Sequence, residues 1–372
     1  MSRSSTVKTI YNQSIPIDTL SVLTYLPKLP ENTFQFTYVW TDRHGGLRCK
    51  SRTIYDLHRL ETIEIEDVPR WNYDGSSTGE TSTDDSDVYI VPRALFRDPF
   101  KQNQENCYIV ICDKFGSDNT PMDTNYRFPA MKIFNERTHL EPMFGLEQEF
   151  FFETIDKTKR VPLSNHDNNY CSVISSKDPT PGTVLQLFYH YALVAGIKVS
   201  GINNEVATMQ FEFQIGPCIG VSAGDHLYAA RYVLATIAAM FGYQVNYRAK
   251  PGVTFNGSGM HTNFSTNEMR LVTTDGSSYN AIEQAIKNIG DNHSDLVEVC
   301  GLDTDRRLTG DHETSSIHEF TYGVADRTAS IRIPRDVHRQ GYGYLEYRCP
   351  SSSADPYRVT SQLLLAAIPD TV

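Results

Sequence analysis

The chain has 372 residues, 40% of them hydrophobic, enough to bury a large core and to divide into two or more domains. A formal charge of −11 and a pI near 5.5 argue against a nucleic-acid backbone or an anionic membrane surface as partner, since both would repel it. The seven cysteines (Cys49, Cys107, Cys112, Cys171, Cys218, Cys300, Cys349) are scattered without a C-x-x-C pair, so neither a disulfide framework nor a zinc ribbon is indicated and a reducing compartment fits. "MSRSSTVKTIYNQS" lacks the apolar core of a signal peptide. The longest apolar stretch, "LYAARYVLATIAAMFGY", is interrupted by Arg231 and is short for a membrane span. The expectation is a cytoplasmic protein.

In chain order, residues 1–29 carry Ser, Pro and Asn without a period and read as an N-terminal arm. "TFQFTYVWTD" and "LRCKSRTI" flank the glycine turn "RHGG" and predict a hairpin, while "NCYIVICDKF" predicts a further strand after the proline-containing "IVPRALFRDPF". Residues 30–115 thus form one small, sheet-rich domain. The polar connector "GSDNTPMDTN" marks a boundary, and residues 116–372 form the larger domain. There helices are predicted in "FPAMKIFNERT", in "GTVLQLFYHYALVAG" ending at Gly196, and from Ser222 as cap to Gly242. Two more follow in "YNAIEQAIKNIGD" and in "ADPYRVTSQLLLAAI", where Asp355 is the N-cap and Pro356 lies in the first turn.

The strands between these helices share an unusual face. In "FGLEQEFFFE", Glu147 and Glu149 are two residues apart and so project to one side. "TMQFEFQIGP" sets Gln210, Glu212 and Gln214 opposite Met209, Phe211, Phe213 and Ile215. "GMHTNFST" sets His261, Asn263 and Ser265 opposite Met260, Thr262 and Phe264. "TASIRIPR" turns Arg332 away from its isoleucines, and "YLEYRCP" aligns Tyr344, Glu346 and Arg348. A single strand of this kind reads as a half-solvated sheet face. Five of them, rich in Glu, His, Asn and Gln beside aromatics, predict the wall of a polar cavity.

Carboxylates crowded into one cavity, here Glu147, Glu149, Glu205, Glu212 and Glu346, repel one another by roughly 3 kcal/mol per pair at about 6 Å and an effective dielectric of about 20. Divalent cations relieve that repulsion. Oxygen ligands with one imidazole, His261, suit Mg²⁺ or Mn²⁺, and such metals imply phosphate chemistry. Neither G-x-x-x-x-G-K-[ST] nor a strand-following G-x-G-x-x-G is present, so a nucleotide would be held without the common cradles. Arg307, Arg327, Arg332, Arg335 and Arg348 supply guanidinium forks in the last third; any one of them alone would read as a surface charge.

Seven segments, "WNYDGSST", "FGLEQEF", "NNEVATMQFEFQIGP", "NGSGMHTNFST", "RRLTGDHETS", "ASIRIPR" and "YLEYRCPSSSADPYRVT", occur in this order and resemble the signatures of glutamine synthetase of the eukaryotic type over roughly residues 35–368. The resemblance implies an α+β chain: a β-grasp domain, then a catalytic domain with a curved antiparallel sheet flanked by helices. It also implies a homo-oligomer, a decamer of two stacked pentameric rings with active sites between subunits. It assigns one metal to Glu149, Glu205 and Glu212, and the other, which meets the ATP phosphates, to Glu147, His261 and Glu346. It places Arg307, Arg348, Asn256 and Gly257 at the glutamate substrate and Arg327 and Arg332 at the transferred phosphoryl group. Met143, Asn263, Ser265 and Tyr344 match nucleotide contacts. Asp74 matches the carboxylate that reaches a neighbouring subunit and takes a proton from ammonium, Glu313 the flap residue, and Tyr170 and Ser77 the rest of the ammonium pocket.

The implied reaction phosphorylates the γ-carboxylate of L-glutamate with ATP and then admits ammonia to the acyl phosphate. Departures from the pattern are local. Met143 stands where the family usually has tryptophan, "EVATMQFEFQ" replaces EVMPxQWEFQ, "NYCSVIS" replaces YYCGVGA, and Cys349 replaces an arginine. Two alternatives remain open at this point: a γ-glutamyl ligase for another amine, suggested by the altered loop at Tyr170, and an inactive structural homologue.

Overall fold

In a computed structural model the described residues are 27–55, 63–101, 105–159, 168–172, 179–252, 256–311 and 314–369. The arm expected over residues 1–29 lies outside them as far as residue 26. Five strands make the first sheet: β1 (Thr33–Thr41), β2 (Leu47–Tyr55), β3 (Trp71–Asp74), β4 (Asp87–Arg97) and β5 (Cys107–Phe115), in the order β2-β1-β5-β4-β3. Its central pair β1/β5 is parallel and the other pairs are antiparallel. Alternation explains its two faces. Phe34, Phe36, Tyr38 and Trp40 pack with Val88, Ile90 and Val110 in a core of their own, whereas Val39, Ile109 and Ile111 turn to the main core of the molecule.

The second sheet runs β11-β12-β13-β10-β6-β8-β7, with β9 paired to the far end of β6. Its strands are β6 (Met143–Thr154), β7 (Val199–Asn204), β8 (Gln210–Ile219), β9 (Tyr243–Asn246), β10 (Met260–Ser265), β11 (Tyr322–Val324), β12 (Ile331–Ile333) and β13 (Leu345–Tyr347). Irregularities between Phe144 and Leu146 and between Val199 and Gly201 bend it. Helices Thr180–Val194, Ser222–Met240, Ser277–Asp291 and Pro356–Ala367 flank it, and their apolar residues join Phe144, Leu146, Phe150, Phe152, Phe211 and Phe213 in the main core. The class is α+β, as the sequence implies.

The structure corrects or adds to the sequence reading at four points. "IVPRALFR" belongs to the eleven-residue β4, because Pro92, which has no N–H to donate, sits at a register shift where the ladder is interrupted. "WNYD" is also a strand. Ser222 is the first helical residue and not the cap; its hydroxyl donates backwards to the Ile219 carbonyl (2.7 Å). The second sheet is antiparallel except for its edge pair β11/β12, which is parallel. Asp355 does cap its helix, accepting from the Arg358 N–H (3.0 Å), and Gly196 and Gly242 end theirs at φ +81° and +79°.

Candidate active site

Strand register brings the charged residues together. On β6, Phe144, Leu146 and Phe150 face the core while Glu147 and Glu149 face away from it. Glu147 stands opposite His261 of β10 and Gln214 of β8, and Glu149 opposite Glu212 of β8. Glu212 in turn faces Asn203 of β7, and Glu346 of β13 faces Asn263 of β10 and Arg332 of β12. Glu205 follows β7 directly, its N–H bonded to the Gln210 carbonyl (3.0 Å). Residues far apart in the chain thus become neighbours by pairing alone.

The result is a cavity of about 290 Å³ lined almost wholly by polar groups. Glu147, Glu149, Glu205, Glu212, Glu346 and His261 line it, as do Arg307, Arg327, Arg332, Arg348, Asn256, Gly257 and Tyr170. Met143, Asn263, Ser265 and Tyr344 line a second, more apolar cavity of about 590 Å³ that shares Glu147 and Gln214 with the first. Asp74 and Ser77 line neither; they sit at an exposed turn after β3, where Asp74 accepts from the Ser76 N–H (3.0 Å) and from the Ser76 and Ser77 hydroxyls (2.6 Å each). Glu313 lies outside the described residues. Arg335, beside the site in sequence, is exposed at the start of a short helix and lines neither cavity.

Electrostatics divide the cavity in two. Burial, and then repulsion from neighbouring carboxylates, pushes Glu149, Glu205 and Glu212 well above the usual carboxylate range. Glu346 is held between two guanidiniums, with Arg332 Nη1 at 2.6 Å and Arg348 Nη1 at 2.5 Å. Burial, followed by the charges of Arg348 and Arg307, keeps His261 neutral. Its Nδ1 lies 3.4 Å from Glu147 and 3.8 Å from both Glu149 and Glu346. Arg307 Nη2 is 3.0 Å from Nε2. A guanidinium only donates, so Nε2 accepts and the ring proton is on Nδ1.

Hydrogen bonds fix the remaining carboxylate oxygens. Asn263 donates to Glu147 (2.8 Å), Asn203 to Glu205 (2.9 Å), Gln214 to Glu212, and the Gly259 N–H to Glu149 (3.1 Å). Glycine at 259 lets both side chains approach the backbone, since a Cβ there would lie 2.7 Å from Arg307 Nη2 and 2.9 Å from His261 Nε2. Ligand atoms of Glu147, His261 and Glu346 all fall within 4.8 Å of one another. A donor set of carboxylates and one neutral imidazole fits a hard divalent cation. Among the described residues, Gln210 Oε1 and Arg332 Nε are buried without a protein partner, and both residues line the cavity. A cation on His261 Nδ1 would require the other tautomer, with Arg307 turned from Nε2.

Several contributing residues were not singled out from the sequence. Asn203, Gln210, Gln214 and Thr314 line the first cavity, and the alternation of β8 already put both glutamines on the polar face. Gln148 is less expected, since it points into the core between the two glutamates of β6. There Arg231 donates to its Oε1 through Nε (3.0 Å) and bonds the Ser352 carbonyl (3.0 Å). The charge that interrupts the longest apolar stretch therefore braces the strand that carries Glu147 and Glu149.

Comparison with known proteins agrees with this geometry. Residues 130–369 match the family model of the glutamine synthetase catalytic domain. A protein described as glutamine synthetase from Agaricus bisporus is 43% identical over 352 residues, 93% of this chain and 96% of that protein. One from Neurospora crassa is 42% identical over 344 residues (91% and 92%), and a putative glutamine synthetase of Acanthamoeba polyphaga mimivirus is 41% identical over 331 (88% and 92%). The chain belongs to the glutamine synthetase family, eukaryotic type.

Proposed function

We propose that the chain is an ATP-dependent glutamate–ammonia ligase that makes glutamine, ADP and phosphate through γ-glutamyl phosphate. One observation carries the reading: five carboxylates and a neutral histidine meet four arginines in one cavity, which abuts an apolar cavity suited to a nucleotide base. The relatives described as glutamine synthetases support it.

In this reading the base rests against Met143 and Tyr344 with Asn263 and Ser265 nearby, and the phosphates extend toward Glu147, the residue common to both cavities. Mg²⁺ or Mn²⁺, held by Glu149, Glu205 and Glu212 and by Glu147, His261 and Glu346, would neutralise the carboxylates and draw off charge that develops on the transferred phosphoryl group. Arg307 and Arg348, with Asn256 and Gly257, hold the substrate's carboxylates. Arg327 and Arg332 face the phosphoryl oxygens, whose growing charge their forks stabilise. Ammonium has no lone pair, so Asp74 and Ser77 of a neighbouring subunit, with Tyr170, bind it and Asp74 removes a proton. Glu313 closes the site, protecting the acyl phosphate from water.

Asp74 does not line the cavity of its own chain, which supports active sites shared between subunits, in the homodecamer of stacked pentamers that the family resemblance implies. Among the described residues no helix is long and apolar enough to cross a membrane, which accords with a cytoplasmic setting. Phosphate release tests the proposal. It should require glutamate, ATP, a divalent cation and ammonium together; release unaffected by omitting ammonium or glutamate would overturn it.

A further inference from the structure

The turn that presents Asp74 is anchored from below by a buried ion pair. Glu80 Oε1 lies 2.5 Å from Lys114 Nζ, and both side chains are 2% exposed. Lys114, on β5, also donates to Thr124 Oγ1 (2.7 Å). The second oxygen of Glu80 accepts from the Tyr73 hydroxyl (2.6 Å) and from Thr78 Oγ1 (2.8 Å). Tyr73 immediately precedes Asp74 and Thr78 follows Ser77, so one carboxylate grips both shoulders of the turn.

The backbone completes the anchor. The Glu80 N–H bonds the Gly75 carbonyl (2.8 Å), and the Gly75 N–H bonds Ser86 (2.7 Å). A Cβ at Gly75 would lie 2.5 Å from Val88, which shows how tightly the turn sits on β4. The Tyr73 ring stacks on Trp40 at 4.7 Å. Taking two charges out of water is costly, and an apolar pair of similar volume would hold the sheet as well. What apolar residues could not do is bind two hydroxyls on either side of Asp74 in fixed directions.

We propose that Glu80 and Lys114 are positioning residues that set the height and direction of Asp74 for the ammonium pocket. The inference rests on the reading of Asp74 given above. Lys114 holds the Glu80 carboxylate in place and ionised, Glu80 holds Tyr73 and Thr78, and these hold the turn. None of the four needs to touch substrate.

The test uses the full-length assembled protein and separate KM values for ammonium, glutamate and ATP in Lys114→Met, Tyr73→Phe and Thr78→Val, with assembly size and thermal transition measured beside them. Lys114→Met should raise the ammonium KM between about tenfold and a hundredfold and leave the other KM values within about twofold. Tyr73→Phe and Thr78→Val, which leave the charges intact, should raise it severalfold. Turnover with hydroxylamine, which already carries a lone pair at neutral pH, should persist in all three. Asp74→Asn is the control. If it leaves ammonium kinetics unchanged, the reading of Asp74 fails and this inference with it. If it weakens ammonium use while the hydroxyl variants, folded and assembled, match wild type, this inference alone is overturned. Should Lys114→Met fail to assemble, Tyr73→Phe and Thr78→Val decide. Equal rises in every KM would mark the pair as merely structural and also overturn it.

Discussion

Strands β1 and β6 obey the same two-residue alternation, yet end in different surroundings. In β1, Phe36, Tyr38 and Trp40 enter one core and Val39 another, so hydrocarbon meets both faces. In β6, Phe144, Leu146 and Phe150 enter a core while Glu147 and Glu149 are enclosed against His261 and Glu212. The first sheet is packed on both faces, and the functional contribution proposed for it lies at the exposed turn of its edge strand β3. The second is scaffold on one face and site on the other. Burying each core phenylalanine contributes about 1.5–3 kcal/mol, and apolar burial of this kind offsets the repulsion concentrated at the carboxylates.

The sharpest break of this comparison lies within β6 itself, between adjacent residues. Glu149→Gln should lower phosphate release by at least about a thousandfold if, as proposed, charge stabilisation at the phosphoryl group depends on a cation held by Glu149. Its metal-free thermal transition should stay level or rise, since a buried repulsion is removed. Phe150→Ala should do the opposite, with a loss of about 3–5 kcal/mol in stability from the cavity it opens. Denaturant and thermal unfolding beside a phosphate assay would read both. A Glu149→Gln protein that is fully active would remove the distinction between the two faces.

A second break concerns the exposed turn. Asp74→Asn should cost about a hundredfold or more in turnover with ammonium with little effect on stability, because among the described residues its exposed side chain is bonded within its own turn. Mixing Asp74→Asn subunits with Glu149→Gln subunits during assembly should restore part of the activity, since some interfaces then pair two intact halves. Mixed assemblies as inactive as their parents would place Asp74 outside a shared site.

The smallest effect expected is at the second cavity. Met143→Trp would add a flat ring to its wall, and an aromatic contact of about 0.5–1.5 kcal/mol predicts an ATP KM lowered by about threefold to tenfold. An unchanged or raised KM would mean that the base does not rest against residue 143.

The sequence made the site strands legible because alternation projects directly onto chemistry: Glu212 flanked by Phe211 and Phe213, or Glu346 beside Leu345 and Tyr347, needs no tertiary knowledge to assign to a face. Which strands pair was not legible from any segment: the resemblance implied a curved antiparallel sheet, and the pairing itself appears only in the register of the folded strands. What escaped depended on partners distant in the chain. Pro92 obscures the strand over residues 87–97, because the register shift beside it that tolerates a missing N–H is set by the partner strand β5. Gln148 and Arg231 pack against each other on the core side across 83 positions, and no local pattern announces such a pair. Glu80 and Lys114 are likewise ordinary surface residues when read singly, and only their pairing across 34 positions shows the two side chains to be buried.

Binding of Mn²⁺ to the substrate-free protein, followed by the loss of the free-ion electron paramagnetic resonance signal, tests the central claim most directly. The account predicts tight uptake by the wild type at more than one ion per chain. Glu149→Gln and Glu346→Gln should each weaken a different part of that uptake by about ten- to a hundredfold. Wild-type protein that leaves the signal untouched, or variants that bind like wild type, would contradict it.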